Sequence, residues 1–219
     1  MEKHILSLAG VDVPLESLLS VLHTDENDDY IENIASMRIE ALDIVRPVAL
    51  YSPLSPELRG GEVWLNGVRI GEPFVYKMLS GSKTVVPYVA SCGREIDQWS
   101  KSFSDVFEQF TADSLKQMCL GAIRNKLFDE VKGKYFDNDK NMSAINPGSL
   151  KEWPITGQTP LFELLGGVTG DIGVSLSDSL LMSPIKSVSG ILFQSDEAYE
   201  NCQLCPRENC PGRRVPYGG

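Results

Sequence analysis

Cys202, Cys205 and Cys210 form a C-x2-C-x4-C run within CQLCPRENCPGRR, and they are three of only five cysteines in the 219-residue chain. Thiolates at this spacing converge on one soft metal ion or iron–sulfur centre without help from distant chain. Pro206, Pro211 and Gly212 favour turns over helix or strand, so the segment can wrap an ion. Arg207, Arg213 and Arg214 offset the negative charge of three thiolates and lower their pKa values. Glu208 lies between the thiols but matches a soft ion poorly. Three ligands are one short of a closed site. Cys92, beside Gly93 at the end of an apolar run, is a better fourth ligand than Cys119, which sits inside a helical apolar pattern. An external thiolate or a substrate atom is the other way to fill that position. Iron with sulfide would point to electron transfer, zinc to a structural clip. The competing reading is a solvated end whose cysteines bind nothing or pair as a disulfide.

Other chemistries are poorly supplied. His4 and His23 are the only histidines, both near the start, which disfavours histidine acid–base catalysis and a histidine-rich metal site. Thirty acidic against twenty basic residues give a net charge of −10. With no basic stripe to offset it, such a surface repels a phosphate backbone, so nucleic acid is not expected as a partner. No apolar run approaches the roughly 20 residues of a membrane span. The N-terminus lacks the pattern of a secretion signal, and free cysteines suit a reducing compartment; the expectation is a cytoplasmic protein that does not engage membranes.

The elements that must position any site read as a mixture. Residues 13–23 and about 28–46 have helical periodicity, with Pro47 ending the second. The stretch 47–55 reads as a strand and 62–71 as a hairpin with a type I′ turn at Asn66-Gly67. A short helix (75–82) and a buried strand (84–93) follow. A long helical region from Arg94 to Lys132, broken near 102–105, has an apolar face of Phe107, Phe110, Leu115, Met118, Cys119, Ile123, Leu127 and Val131. Residues 137–143 read as a polar loop, 146–149 as a strong turn and 158–167 as a short helix. DIGVSL (171–176) reads as a strand, 177–184 as a turn or brief helix, and 186–194 as a final strand containing Gly190, where glycine marks a bulge or a close approach. Without a βαβ rhythm the class is α+β: a twisted, mainly antiparallel sheet with flanking helices. The expected organisation is one domain over residues 1–195 and a cysteine-rich tail over 196–219.

The stretch from Ala144 to Phe193 resembles the reactivation domain of cobalamin-dependent methionine synthase. The residues that carry the likeness are Pro147-Gly148, Trp153-Pro154, LFELL at 161–165, IGVSL at 172–176 and LMSPIKSVSG at 181–190. VVPYVASCGREID at 85–97 also resembles small stand-alone members of that family, which pair with separate corrinoid proteins. The resemblance implies a corrinoid-binding protein or methyltransferase as partner, with cobalamin carried by that partner and an electron donor protein beside it. It also implies S-adenosylmethionine as methyl donor, with the reduction of cobalt drawn forward by methylation.

Within the matched region, Asn146, Pro147, Gly148 and Ser149 of the turn and Ser187, Ser189 and Gly190 of the last strand are expected to form a cofactor-binding groove. Gly148 and Gly190 bring backbone close to a ligand, and Ser187 and Ser189 share a strand face. The competing reading is that these glycines and serines only shape a tight core. Tyr199 matches a further family tyrosine if one gap is allowed. Two positions depart from the family motif R-x-x-P-G-Y: Ala144 stands for the arginine and Ser149 for the tyrosine. Alanine cannot pair with a carboxylate, so S-adenosylmethionine is expected to bind weakly, with Lys140 or Lys151 as the nearby replacement cation. Two functions follow. One is a stand-alone reactivation factor for a corrinoid-dependent methyltransferase. The other is a non-enzymatic corrinoid-protein binding module that has lost S-adenosylmethionine and uses its tail for metal.

Overall fold

Strand β6 (Val85–Ser91) is buried along its whole length, which requires a cover on both of its faces. The computed structural model describes residues 1–218 except Asp28, Glu72, Ala198, Glu200, Pro206, Arg207 and 209–214. In chain order the elements are β1 (His4–Ser7), α1 (Leu15–Leu22), α2 (Ile31–Ile44), β2 (Val48–Tyr51), β3 (Glu57–Arg59), β4 (Glu62–Leu65), β5 (Val68–Arg69), α3 (Pro73–Leu79) and β6. Then come α4 (Arg94–Trp99), α5 (Val106–Tyr135), β7 (Asn141–Ile145), α6 (Gln158–Leu165), α7 (Val168–Ile172), β8 (Ser175–Leu176), β9 (Met182–Ser183) and β10 (Ser187–Ser195). The main sheet has the order β1-β2-β6-β10-β7, with every neighbouring pair antiparallel. The expected α+β class is what the chain adopts.

One face of the sheet, through Ala49, Tyr51, Tyr88, Ala90 and Leu192, packs on α1, α2 and α5. The other face divides. Leu50 and Val89 meet α6 and α7, whereas Val85, Ile145, Ile191 and Phe193 meet the β3-β4-β5 meander, α3 and α6. Helix α5 is the long brace of the first face: 30 residues, about 45 Å at 1.5 Å per residue. It starts at Asp105, whose carboxylate accepts from the backbone N–H groups of Phe107 and Glu108. Leu115, Cys119, Ile123, Leu127 and Val131 recur at helical spacing and are all buried. Phe110, assigned to that face from sequence, is instead exposed. Before α5 the helical region breaks as expected, through a 3-10 turn at Ser100–Ser102.

Asn66 and Gly67 take φ of 48° and 82°, the paired positive values of a type I′ turn. His23 ends α1 with φ of 55°. Three readings change. Residues 141–145, placed mostly in a polar loop, form the edge strand β7 on β10. The 171–176 stretch is the end of α7 plus the two-residue β8, because Gly167 and Gly173, both at positive φ, delimit a short helix. The N-terminal strand β1 also escaped the sequence, since half of its four residues face outward. No helix among the described residues is long and apolar enough to cross a membrane.

Candidate ligand site at the 146–149 turn

Edge strand β7 runs through Ile145, opposite Ile191, straight into the Asn146–Ser149 turn. Proline at the second position, Gly148 at the third with φ of 81°, and a 3.2 Å bond from Ser149 N–H to the Asn146 carbonyl make this a type II turn. The Gly148 N–H donates to Trp153 O at 2.8 Å, and a β-carbon on Gly148 would sit 3.3 Å from Ile155 Cβ. The turn is therefore fixed from below by the 150–155 segment.

Asn146 is the hub of the site. Its Nδ2 donates to Tyr88 Oη at 2.9 Å and to Ser189 O at 2.8 Å, while its Oδ1 accepts from Asn201 Nδ2 at 3.0 Å. Gly190 makes room for this reach: a β-carbon there would lie 2.5 Å from Ile145 O and nearer still to Asn146 Nδ2. The turn and the last strand thus meet at Asn146, Ser189 and Gly190. Ser187 belongs elsewhere. Its Oγ lies 2.9 Å from Ser91 Oγ and 2.7 Å from Pro184 O, and neighbouring Lys186 pairs with Asp113 at 2.7 Å. The expected groove is therefore divided. Its turn side joins the middle of β10, and the start of β10 closes on other partners.

The open space lies on the far side of the turn. A cavity of about 560 Å³ is lined by Gly148, Ser149, Lys151 and Glu152, with Leu204 and Tyr217 from the C-terminal segment. A second, of about 780 Å³, shares Glu152 and Leu204 and contains Phe74, Lys77 and Tyr199. Both volumes fall in the range of small-molecule sites. The segment after β10 is tied back on the domain. Asn201 holds Asn146, Tyr199 N–H donates to Ser143 Oγ at 3.1 Å, and Gly218 N–H donates to Gln203 O at 2.9 Å. Tyr199 also leans on Phe74, with ring centroids 6.4 Å apart.

Ala144 is half-buried against the helix-side core and offers no charge. Lys140 pairs with Asp196 at 3.1 Å, which leaves Lys151 as the lysine that lines the cavity beside the turn. Sequence reasoning missed Tyr88, Arg124 and Phe128. The Arg124 guanidinium stacks 4.5 Å from the Phe128 ring, and that ring meets Tyr88 edge-on at 5.9 Å. A tyrosine inside a fully buried strand was the available signal, because its hydroxyl requires a partner.

Cys202 and Cys205 are half-buried in one turn, with Cys205 N–H directed to Cys202 O at 3.4 Å. Cys210, Arg207, Arg213 and Arg214 lie outside the described residues. Cys92 is fully buried in the helix-side core, where burial, with Asp97 adding to it, pushes its thiol up to about 12. Cys119 is likewise pushed to about 12 by burial. Among the described residues no three His, Cys, Asp or Glu side chains gather as a metal site.

No protein-family model and no curated protein matches the chain. Among solved structures it is similar to the crystal structure of the MetH reactivation domain bound to AdoHcy. The TM-score is 0.61 at 14% identity, over 90% of this chain and 80% of that one. The resemblance first seen between Ala144 and Phe193 thus extends over nearly the whole chain as architecture. The protein has the fold of the MetH reactivation domain.

Proposed function

We propose that the protein is a stand-alone reactivation factor for a corrinoid-dependent methyltransferase, holding S-adenosylmethionine weakly at the 146–149 turn. The observation that supports this most is a fold shared over 90% of the chain with a domain crystallised with AdoHcy. S-adenosylmethionine, when bound, supplies an electrophilic methyl group that makes the uphill reduction of a partner's cobalt productive. The residues here fit such a ligand in size and in part in charge. Gly148 exposes backbone at the cavity, and the Lys151 ammonium stands for the guanidinium that Ala144 lacks. Tyr217 supplies an aromatic wall beside Ser149. Lysine replaces a forked, bidentate donor with a point charge, so the methionine carboxylate is held less firmly.

The chain's own contribution is binding and orientation, and the chemistry needs no general base. The tail adds the second element of the proposal: Cys202, Cys205 and Cys210 hold zinc or an iron–sulfur centre when oxygen is excluded. Cys92 takes no part, since a thiol held near 12 is a poor source of thiolate.

The alternative, a corrinoid-protein binding module without a methyl donor, is favoured by Ala144 and Ser149. Calorimetric titration with S-adenosylmethionine and S-adenosylhomocysteine separates the two. Weak, saturable binding that Lys151→Ala diminishes supports reactivation; no binding at any accessible concentration favours the module.

A further inference from the structure

Lys116, on the buried side of α5, is only 7% exposed. Its ammonium lies 3.7 Å from Asp97 Oδ1 and 3.7 Å from Asp113 Oδ1. Both distances are beyond the ordinary 2.7–3.2 Å of a hydrogen bond. The two carboxylates are turned to other lysines: Asp97 Oδ2 meets Lys101 at 2.8 Å and Asp113 Oδ2 meets Lys186 at 2.7 Å. Among the described residues Lys116 thus has its charge balanced but none of its three N–H donors taken up at hydrogen-bond distance. Its Nζ is not among the polar atoms sealed from solvent, so those donors open onto the space beside α5.

This lysine lines a cleft of about 1100 Å³ that also contains Asp97, Lys101 and Asp113. Counting Lys186 beside Asp113, three lysines against two aspartates leave +1 there (3 − 2), on a protein whose net charge is −10. The rim is of the opposite character. Val106, Phe110, Leu181 and Ile185 are all exposed and all line the cleft. An exposed apolar rim of this kind marks a binding surface. The cleft shares no lining residue with the cavity at the 146–149 turn.

We infer that this cleft is a second binding site, for an amphipathic anion: a carboxylate or phosphate head on an apolar body of acyl-chain type. The head reaches Lys116 between the two aspartates, with Lys101 beside it. The apolar body lies along Phe110, Leu181 and Ile185. An inorganic anion would leave the rim wet, and an uncharged hydrocarbon would leave the lysine without its hydrogen bonds, so only the combination uses both parts.

The test is calorimetric titration of the full chain with sodium octanoate and octyl phosphate below their micelle-forming concentrations, with inorganic phosphate and octylamine alongside. Saturable binding of one or both octyl anions is expected, and whichever binds more tightly identifies the head group. Inorganic phosphate should bind at least roughly tenfold more weakly, given about 0.8 kcal/mol for each buried methylene. Lys116→Met should weaken octyl-anion binding by roughly ten- to a hundredfold, the loss of one charge-assisted hydrogen bond. Because that substitution unbalances two aspartates, Leu181→Asp is the companion variant; it lies on the exposed rim, leaves the fold intact and should also weaken binding. Failure of both octyl anions to bind the wild type, octylamine binding as tightly as octanoate, or octyl-anion affinity unchanged in both variants would overturn the inference.

Discussion

Asn146 occupies the space that a side chain on Gly190 would need. The amide of one residue lies across the bare α-carbon of the other and reaches Tyr88 Oη and Ser189 O on the far side. The consequence is a turn held against the middle of the sheet, with the cavity lined by Gly148 and Ser149 beside it.

Gly190→Ala is therefore expected to destabilise the fold. The new methyl would meet the Ile145 carbonyl, which belongs to the paired strand and cannot move independently. Overpacking of this kind costs about 1–3 kcal/mol. Thermal denaturation followed by circular dichroism should show a clear fall in midpoint, and an unchanged midpoint would mean that β7 can shift away.

The buried thiols give a pH signature. Cys92 and Cys119 are each held near 12 in the folded protein by burial, above the ordinary thiol value. The unfolded chain releases those protons first, so between the ordinary value and about 12 the unfolded state binds fewer protons than the folded one. Stability from these groups is complete at neutral pH and falls as pH rises through that window. Native alkylation at pH 8 should label Cys202 and Cys205 well before Cys92 and Cys119. Equal labelling rates would show that the helix-side core opens readily.

Limited proteolysis should leave residues 1–201 as one unit, because Tyr199 and Asn201 bind the segment after β10 to Ser143 and Asn146. The link between α5 and β7 is protected, since Gln194 Nε2 donates to Asp137 O at 2.8 Å and Lys140 pairs with Asp196. Early cutting at 133–143 into two stable halves would contradict a single unit.

For the tail, protein purified without oxygen should carry iron with sulfide, or zinc. Cys202→Ser should remove it and Cys92→Ser should leave it in place. Metal-free protein with freely reacting tail thiols would make the tail an ordinary chain end.

Much of the fold was legible because its signals are local. The Asn66-Gly67 hairpin, the break before α5 and the buried run of β6 each follow from a few adjacent residues. The missed strands β1 and β7 are edges; pairing with β2 and β10 makes them strands, and partner choice is not a local property. The site was half legible. The Pro147-Gly148 turn was legible as a local signal, but Gly190 is needed for the reach of Asn146 and Ser187 is engaged at the other end of β10. Nothing in the spacing of Tyr217 or Leu204 announces that chain folding brings them to the cavity beside the turn.

Lys151→Ala should weaken S-adenosylhomocysteine binding by roughly tenfold, the loss of one charge-assisted contact. If Arg124→Ala produces the larger loss instead, the replacement cation sits on the helix side of the sheet.

Methyl transfer from S-adenosylmethionine to a partner's cobalt is the decisive readout of reactivation. A corrinoid methyltransferase whose cobalt has been oxidised to Co(II) is mixed with S-adenosylmethionine and a low-potential electron donor, with and without this protein, and its absorption spectrum is followed. The methylated corrinoid should form faster when the protein is present, only with S-adenosylmethionine, and more slowly with Lys151→Ala. Identical rates with and without the protein, across corrinoid proteins that bind it, would contradict a role in reactivation.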